Sequence, residues 1–338
     1  MLFGFASFAV DFGRVQVAKS QLRASADAAS RHAAMLLPSG ASVAVAGAID
    51  AADDNKVDGS PLILKAAQDI EVGYWNTGTR KFTALTGSAM ANANAIRVVA
   101  KRTAARGTPV PMIFARLLGR DSCDVTAESI SMLRPPTVID TDVPATASPY
   151  LAGMPYGTLS SLNNPHNSPD RAGFQSPPQI QGLGLKGGES LVFDNIAGGA
   201  NNDLRWSDRF MPDGNLGWMT RNDTATNSGE LGKSDMWAPI NALVGVFLTD
   251  ADPRDGTVPQ ALDFRDASKR DFAELKPQIA QVFFIGDGKT SDGRAQRFVA
   301  PLGATRFFLA NWDGYEWNNN VGLRTTRTTR LGSVITVK

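Results

Sequence analysis

Between Phe8 and Ala33 apolar residues return in steps of three and four, at Phe8, Phe12, Val15, Leu22, Ala26, Ala29 and Ala33, with Lys19 breaking the seam once. A stripe of that period lies on one face of an α-helix and needs a partner surface to bury it. Arg23, Asp27 and Arg31 stand four apart on the polar side, where such charges can pair along the helix, and Pro38, Ser39 and Gly40 end the run. The same helix opens on Met1–Val10, which is uncharged and apolar. Crossing a bilayer takes about 20 such residues, so this stretch reads as the tail of a longer apolar segment. It has neither the charged start nor the small-residue cleavage site of a complete signal peptide. Residues 1–37 are therefore assigned to one apolar, then amphipathic, N-terminal helix, whose stripe would pack on any sheet as an ordinary core helix and whose wholly apolar start favours a membrane or filament stem.

After that helix the period changes. DIEVGYW, AIRVVAKR and CDVTAESISM alternate apolar with polar residues or run β-branched, and NTGT at 76–79 reads as a turn into KFTAL. An antiparallel sheet follows, and a long helix laid on it makes an α+β unit over residues 38–134. Residues 135–172 are crowded with Pro, Ser, Thr, Asn and Gly and show neither period, so they read as a linker, with His166 a solvated loop residue inside it. From 173 to 338 short apolar runs are parted by turn residues: PPQIQGLGL, ESLVFDNI, NALVGVFLTD, AQVFFIGDG, AQRFVAPLG, TRFFLANWDG and SVITVK. That pattern predicts an all-β sandwich whose core is drawn from Leu191, Val192, Leu243, Val244, Val246, Phe247, Phe283, Phe284, Ile285, Phe298, Phe307, Phe308 and Leu309.

Several chemistries are disfavoured by counting. The 34 Lys and Arg against 33 Asp and Glu give a net charge of +1, without the basic excess that phosphate backbones attract, so nucleic acid is not an expected partner. Two histidines cannot make a multi-histidine zinc site, and the single Cys123 cannot form an intramolecular disulfide. No catalytic constellation stands out, and the chain reads as a non-enzyme. GDGKT at 286–290 lacks the earlier glycine of a phosphate loop, since Phe283 stands there, and DGKTSDG reads as a hairpin turn. Arg324, Arg327 and Arg330 recur every third residue in RTTRTTR, which reads as a solvated stretch.

One loop carries chemistry of its own. NWDGYEWNNNVG, Asn311 to Gly322, follows a strand expected to be buried. Calcium takes about six to eight oxygen ligands, and Asp313, Asn319 and Asn320 offer carboxylate and amide oxygens within a few residues. A plain Asn/Gly turn is the other reading of the same letters. Trp312, Tyr315 and Trp317 surround this stretch, either as faces for stacking on a sugar ring or as core and rim packing.

Two resemblances bear on these segments. Val10 to Ser30, VDFGRVQVAKSQLRASADAAS, followed by IEVGYWN, KFTAL, NAIRVVAKR and PVPMIFARLLG, resembles the TadE/TadG-like pilus-assembly proteins over about residues 5–135. It implies a pilin-like first half at the cell surface that associates with the membrane, with other pilus or envelope proteins, or with copies of itself through the N-terminal helix. QVFFIGDG, QRFVAPLGATRFFLANWDG and the Asn-Asn-x-Gly ending at Gly322 resemble the PA-IL-like calcium-dependent galactose-binding lectins over about residues 177–325, with MPDG at 211–214 and ALVGVFL at 242–248 also matching. This second resemblance implies Ca2+ held by the side chains of Asp313, Asn319 and Asn320 and by the Glu316 carbonyl, and a galactose-like sugar held by the same ion. The family's second sugar-contacting loop carries a His and a Gln, and neither occurs from Asn215 to Trp237. The expectation is thus an extracellular, pilus-associated surface protein that displays a calcium-binding, carbohydrate-binding sandwich for adhesion. The competing one is a structural filament subunit whose sandwich coats the filament, and a third is a hydrolase that carries the sandwich as a sugar-binding module.

Overall fold

The computed structural model describes residues 2–160, 169–205, 209–222 and 229–338, with side chains from residue 9 onwards. His166 lies outside the described residues. The chain divides into two units: the first comprises Met1–Pro135 together with Gly332–Lys338, and the second Pro136–Leu331. The second is thus inserted into the first, between two of its strands. Strands of three or more residues, apart from the C-terminal one, are numbered in chain order below.

In the first unit helix α1 runs Leu2–Leu36, a short 3-10 turn at Leu37–Ser39 breaks it at Pro38, and α2 follows over Ala41–Asp53. The expected stop is where the structure has it, because Pro38 cannot continue the ladder and Gly40 adopts φ 114. The buried seam of α1 is Ala18, Leu22, Ala26, Ala29 and Ala33, as the period predicts, but Phe12 is exposed and joins no core. Asp27 pairs differently from the expected helical ladder: it accepts the hydroxyls of Ser129 at 3.2 Å and Thr336 at 2.5 Å. Helix α2 was not anticipated. Its Ala44, Gly47, Ala48 and Ala52 are buried at helical spacing, and a Cβ on Gly47 would lie 2.3 Å from the Leu36 side chain. Small residues on both helices let their backbones approach closely.

Beneath the helices lies an antiparallel sheet built from β1 (Ile70–Asn76), β2 (Lys81–Ala84), β3 (Ala95–Arg102) and β4 (Val125–Arg134). Its order is C-terminal strand, β4, β3, β1, β2, where the C-terminal strand is Ser333–Thr336. Ile70, Val72, Ile96 and Val98 enter the helix-side core, and Trp75, Ala95, Ile130 and Met132 form a separate cluster. SVITVK therefore belongs to this sheet and not to the sandwich: Ser333 to Thr336 pair with Arg134 to Ser131.

One α1 residue reaches outside the seam. Asp11 is buried at the N-terminal end, and its carboxylate accepts the backbone N–H groups of Ile113 (2.7 Å), Phe114 (2.9 Å) and Ala115 (2.6 Å). Burial alone would raise its pKa, but these three donors outweigh it and hold the carboxyl below its ordinary value.

The second unit is all-β. It contains β5 (Thr137–Pro144), β6 (Ser190–Asn201), β7 (Asn215–Thr220), β8 (Met236–Ile240), β9 (Leu243–Leu248), β10 (Val282–Phe284), β11 (Arg297–Val299), β12 (Arg306–Asn311) and β13 (Val321–Arg330). One sheet orders β11, β6, β13 and β5, with the two-residue strand Glu274–Leu275 outside β11, and a second orders β10, β9 and β12. Their inner faces meet in a core of Leu191, Phe193, Leu243, Phe247, Phe283, Phe298 and Phe307. Rings stack there, with Phe247 and Phe283 at 5.4 Å and Phe283 and Phe298 at 5.6 Å. Burying each such side chain stabilises the fold by about 1.5–3 kcal/mol. Every expected core position is buried except Val192, which is half-buried.

Two expectations fail here for a shared reason. Residues 137–144, expected as linker, form β5, paired with β13 from Leu323↔Pro144 to Arg330↔Thr137. RTTRTTR, expected as solvated, makes up the last seven residues of β13, which lies between β5 and β6. Arg324 is buried and donates to Asn311 Oδ1 (2.7 Å) and to the carbonyls of Phe210 (3.0 Å), Met211 (3.3 Å) and Asn241 (2.5 Å). Arg327 pairs with Asp140 at 2.8 Å across the two strands. A strand whose neighbours supply its polar partners carries no alternating apolar signal, so pattern alone misses it. PPQIQGLGL forms no strand and contributes one bridge, Gln179↔Phe308, whereas DGKTSDG turns as expected, with Lys289 bridging Ala295.

Candidate metal centre

Strand β12 ends at Asn311 and β13 begins at Val321, so the loop 312–320 closes the gap between strands of opposite sheets. Its backbone is fixed from inside. Asp313 Oδ1 accepts the N–H groups of Gly314 (2.5 Å) and Tyr315 (3.2 Å), which bends the chain as an Asx turn. Gly314 is needed because a Cβ there would stand 2.3 Å from Thr220 Oγ1. Asp170 fixes the far side: its Oδ2 accepts Trp317 N–H at 3.0 Å and its Oδ1 accepts Asn318 N–H at 2.9 Å.

The loop encloses oxygen atoms. Asp313, Glu316 and Asn320 are buried, and Asn319 is half-buried. Asn320 Nδ2 donates to the Ala145 carbonyl at 3.1 Å and Asn319 Nδ2 donates to Glu316 Oε1 at 2.7 Å. That leaves Asp313 Oδ2, Asn319 Oδ1 and Asn320 Oδ1 as buried acceptors with no hydrogen-bond partner among the described residues. Buried acceptors in that state are rare, and each calls for water, an ion or strain to explain it. Burial, reinforced by the nearby Asp170 carboxylate, pushes Asp313 up to about 7, against the opposing pull of Tyr315 N–H, the Asn320 side chain and Gly314 N–H. Burial likewise pushes Asp170 up to about 6, with the charges of Glu316 and Glu230 adding to it and the two loop N–H groups opposing.

Charge on two desolvated carboxyls beside neutral oxygens is what a cation would relieve, and oxygen-only donors suit a hard cation such as Ca2+. Among the described residues no group of three or more His, Cys, Asp or Glu side chains gathers in a metal-holding arrangement. An ion in this loop would therefore depend on amide and carbonyl oxygens as well as carboxylates.

The aromatic residues divide. Trp312 and Trp317 are fully buried, Trp312 Nε1 donating to the Thr220 carbonyl at 3.2 Å and Trp317 Nε1 to the Asn311 carbonyl at 2.7 Å. Both pack on buried Tyr150, at 6.1 Å and 5.6 Å between ring centres. Neither presents a face to a sugar, which corrects that expectation, and of the three only Tyr315 is exposed. Asp170 escaped the sequence reading altogether: it lies about 140 residues before the loop in a stretch expected to be linker, and no local spacing joins the two.

Comparison with known families bears on the first unit. Residues 19–131 match the family model described as putative Tad-like Flp pilus-assembly, and residues 1–36 match the one described as putative Flp pilus-assembly TadE/G-like. These matches support a pilus-associated protein of the cell envelope or surface, with structural or assembly work and not catalysis as the families' business. No curated protein and no solved structure matches the chain. Nothing in the comparisons supports the lectin resemblance of the second unit. Among the described residues no helix is long and apolar enough to cross a membrane.

Proposed function

We propose that the chain is a pilus-associated surface protein whose first unit joins it to envelope or pilus components through α1, and whose inserted sandwich binds Ca2+. One observation carries the calcium reading: three buried oxygens without hydrogen-bond partners among the described residues, Asp313 Oδ2, Asn319 Oδ1 and Asn320 Oδ1, lie in one loop braced by buried Asp170. In this reading Asp313, Asn319 and Asn320 supply side-chain oxygens and Glu316 its backbone carbonyl. The ion neutralises the buried carboxyls and locks the loop between the two sheets. An adhesive role with a galactose-like sugar would rest on hydroxyls bound directly to the ion, with Tyr315 the one exposed aromatic of the loop to flank them.

Terbium tests the ion site on the full chain, because it replaces calcium and emits when excited through a neighbouring indole. Trp312 and Trp317 should sensitise it, and excess Ca2+ should quench the emission by displacement. Absence of sensitised emission, or emission unaffected by Ca2+ and unchanged in Asp313→Asn, would remove the reading.

A further inference from the structure

On α1 the core begins at Val15 and Ala18, and towards the N-terminus Arg14 pairs with Asp58 at 3.2 Å and Asp11 takes the 113–115 amides. Those three bonds fix a short 3-10 turn, Ala115–Leu118, beside the helix. The turn then holds apolar side chains outward: Leu117 is 85% and Leu118 84% exposed, Ile113 51% and Phe114 39%. Val10 and Phe12, which flank Asp11 on the helix, are 49% and 57% exposed. An apolar surface of this kind is a recognised sign of a contact with another phase or partner.

We infer that this turn is a second membrane contact: Leu117 and Leu118 insert at the lipid interface alongside the apolar start of α1. Two features favour lipid over a protein partner. In sequence, Val10 and Phe12 follow directly on an uncharged, apolar stretch, Met1–Ala9, broken only by Asp11 between them. The leucines are flanked by exposed Arg116 and Arg120, with Asp121 the one acid of the turn, at 3.5 Å from Arg116. Apolar tips bordered by arginines match the acyl boundary and the anionic headgroups above it. Asp11 thereby becomes a positioning residue: it makes the turn rigid relative to the helix, so both apolar elements meet the bilayer together. This inference rests on the reading that α1 associates with a membrane.

The experiment uses the full chain with Cys123→Ser and Leu118→Cys, labelled at residue 118 with an environment-sensitive fluorophore and mixed with vesicles of phosphatidylglycerol and phosphatidylcholine. The expected result is a blue-shifted, several-fold brighter probe that lipid-borne quenchers extinguish, with Leu117→Ser/Leu118→Ser weakening vesicle partitioning by roughly tenfold or more. A chain that floats with vesicles while its probe stays unchanged overturns the inference and leaves the helix reading standing. A chain that does not float at all removes both. Probe brightening that needs no lipid and grows with protein concentration assigns the patch to a second copy of the chain, which also overturns it.

Discussion

Withdrawing calcium should destabilise the inserted unit by an amount that can be set in advance. A ligand that binds only the folded state stabilises it by RT ln(1 + [L]/Kd), about 2.7 kcal/mol at a hundredfold excess over Kd. Surface modules hold calcium with Kd near 0.1–1 mM, so roughly 10 mM Ca2+ reaches that excess at the tighter end. For a unit the size of Pro136–Leu331, each kcal/mol moves the midpoint by about 2–4 °C, so chelation should lower its melting temperature by roughly 5–11 °C. Differential scanning calorimetry with Ca2+ or EDTA reads this directly. The pH dependence adds a sign. Without the ion, burial holds Asp313 at about 7, so between about pH 4 and 7 the folded state keeps a proton that the unfolded state has lost. Stability of the ion-free protein should therefore fall as pH climbs through that window, and the gap between the calcium and EDTA curves should widen. Asp313→Asn should abolish the calcium response yet raise the EDTA midpoint at pH 8, because it removes the buried charge. Coincident midpoints with Ca2+ and EDTA at pH 8 would refute the reasoning.

Other perturbations probe the fold that carries this loop. Arg324→Leu removes the donor to the Asn241 carbonyl and Asn311 Oδ1, while the Phe210 and Met211 carbonyls keep the N–H groups of Ala200 and Gly214, and should cost about 1–3 kcal/mol per deprived acceptor in denaturant titration of the second unit. Ala48→Leu should overpack the buried alanine seam of the first unit by about 1–3 kcal/mol, lowering its melting transition alone. Burial pushes Lys233 down to about 7, opposed by Glu230 and Asp252, so between about pH 7 and 10 the unfolded state binds the extra proton. Stability should rise with pH across that window in the native sequence, and this slope should vanish in Lys233→Met.

Where the sequence was legible, one residue type repeated against a contrasting one. The alanine seam of α1 and the phenylalanines of the sandwich are read correctly because the buried face is apolar and the exposed face is not. Helix α2 escaped because Val43, Val45 and Gly47 weaken the helical signal of the four alanines at 41–48, and the packing of Gly47 against Leu36 shows only in the folded unit. The arginines of β13 escaped because their partners come from β5 and from loops more than 80 residues away. The candidate site was half legible. Asp313, Asn319 and Asn320 lie within eight consecutive residues, so their shared chemistry shows in the letters. Asp170 joins them only through the closed fold, and the burial that removes Trp312 and Trp317 from any ligand comes from Tyr150, another distant residue.

Boundaries were the least legible feature, because the break in contacts is a double crossing and the expected linker lies inside the sandwich. Arg134 pairs with Ser333 in the first unit, and Thr137 pairs with Arg330 in the second. The whole of Pro136–Leu331 therefore stands where a hairpin turn would otherwise join two neighbouring antiparallel strands. Directly opposed residues in such a ladder are about 4.5–5.5 Å apart, which a two-residue Asn-Gly turn can close. Replacing everything between Arg134 and Ser333 by Asn-Gly should give a cooperatively folding first unit that keeps its helices on a five-stranded sheet. Deleting Gly332–Lys338 instead should strip the strand beside β4 and lower the first unit's transition while leaving that of the sandwich in place. If the closed version is molten while the deletion is harmless, then the C-terminal strand does not complete the first unit and the insertion topology is wrong.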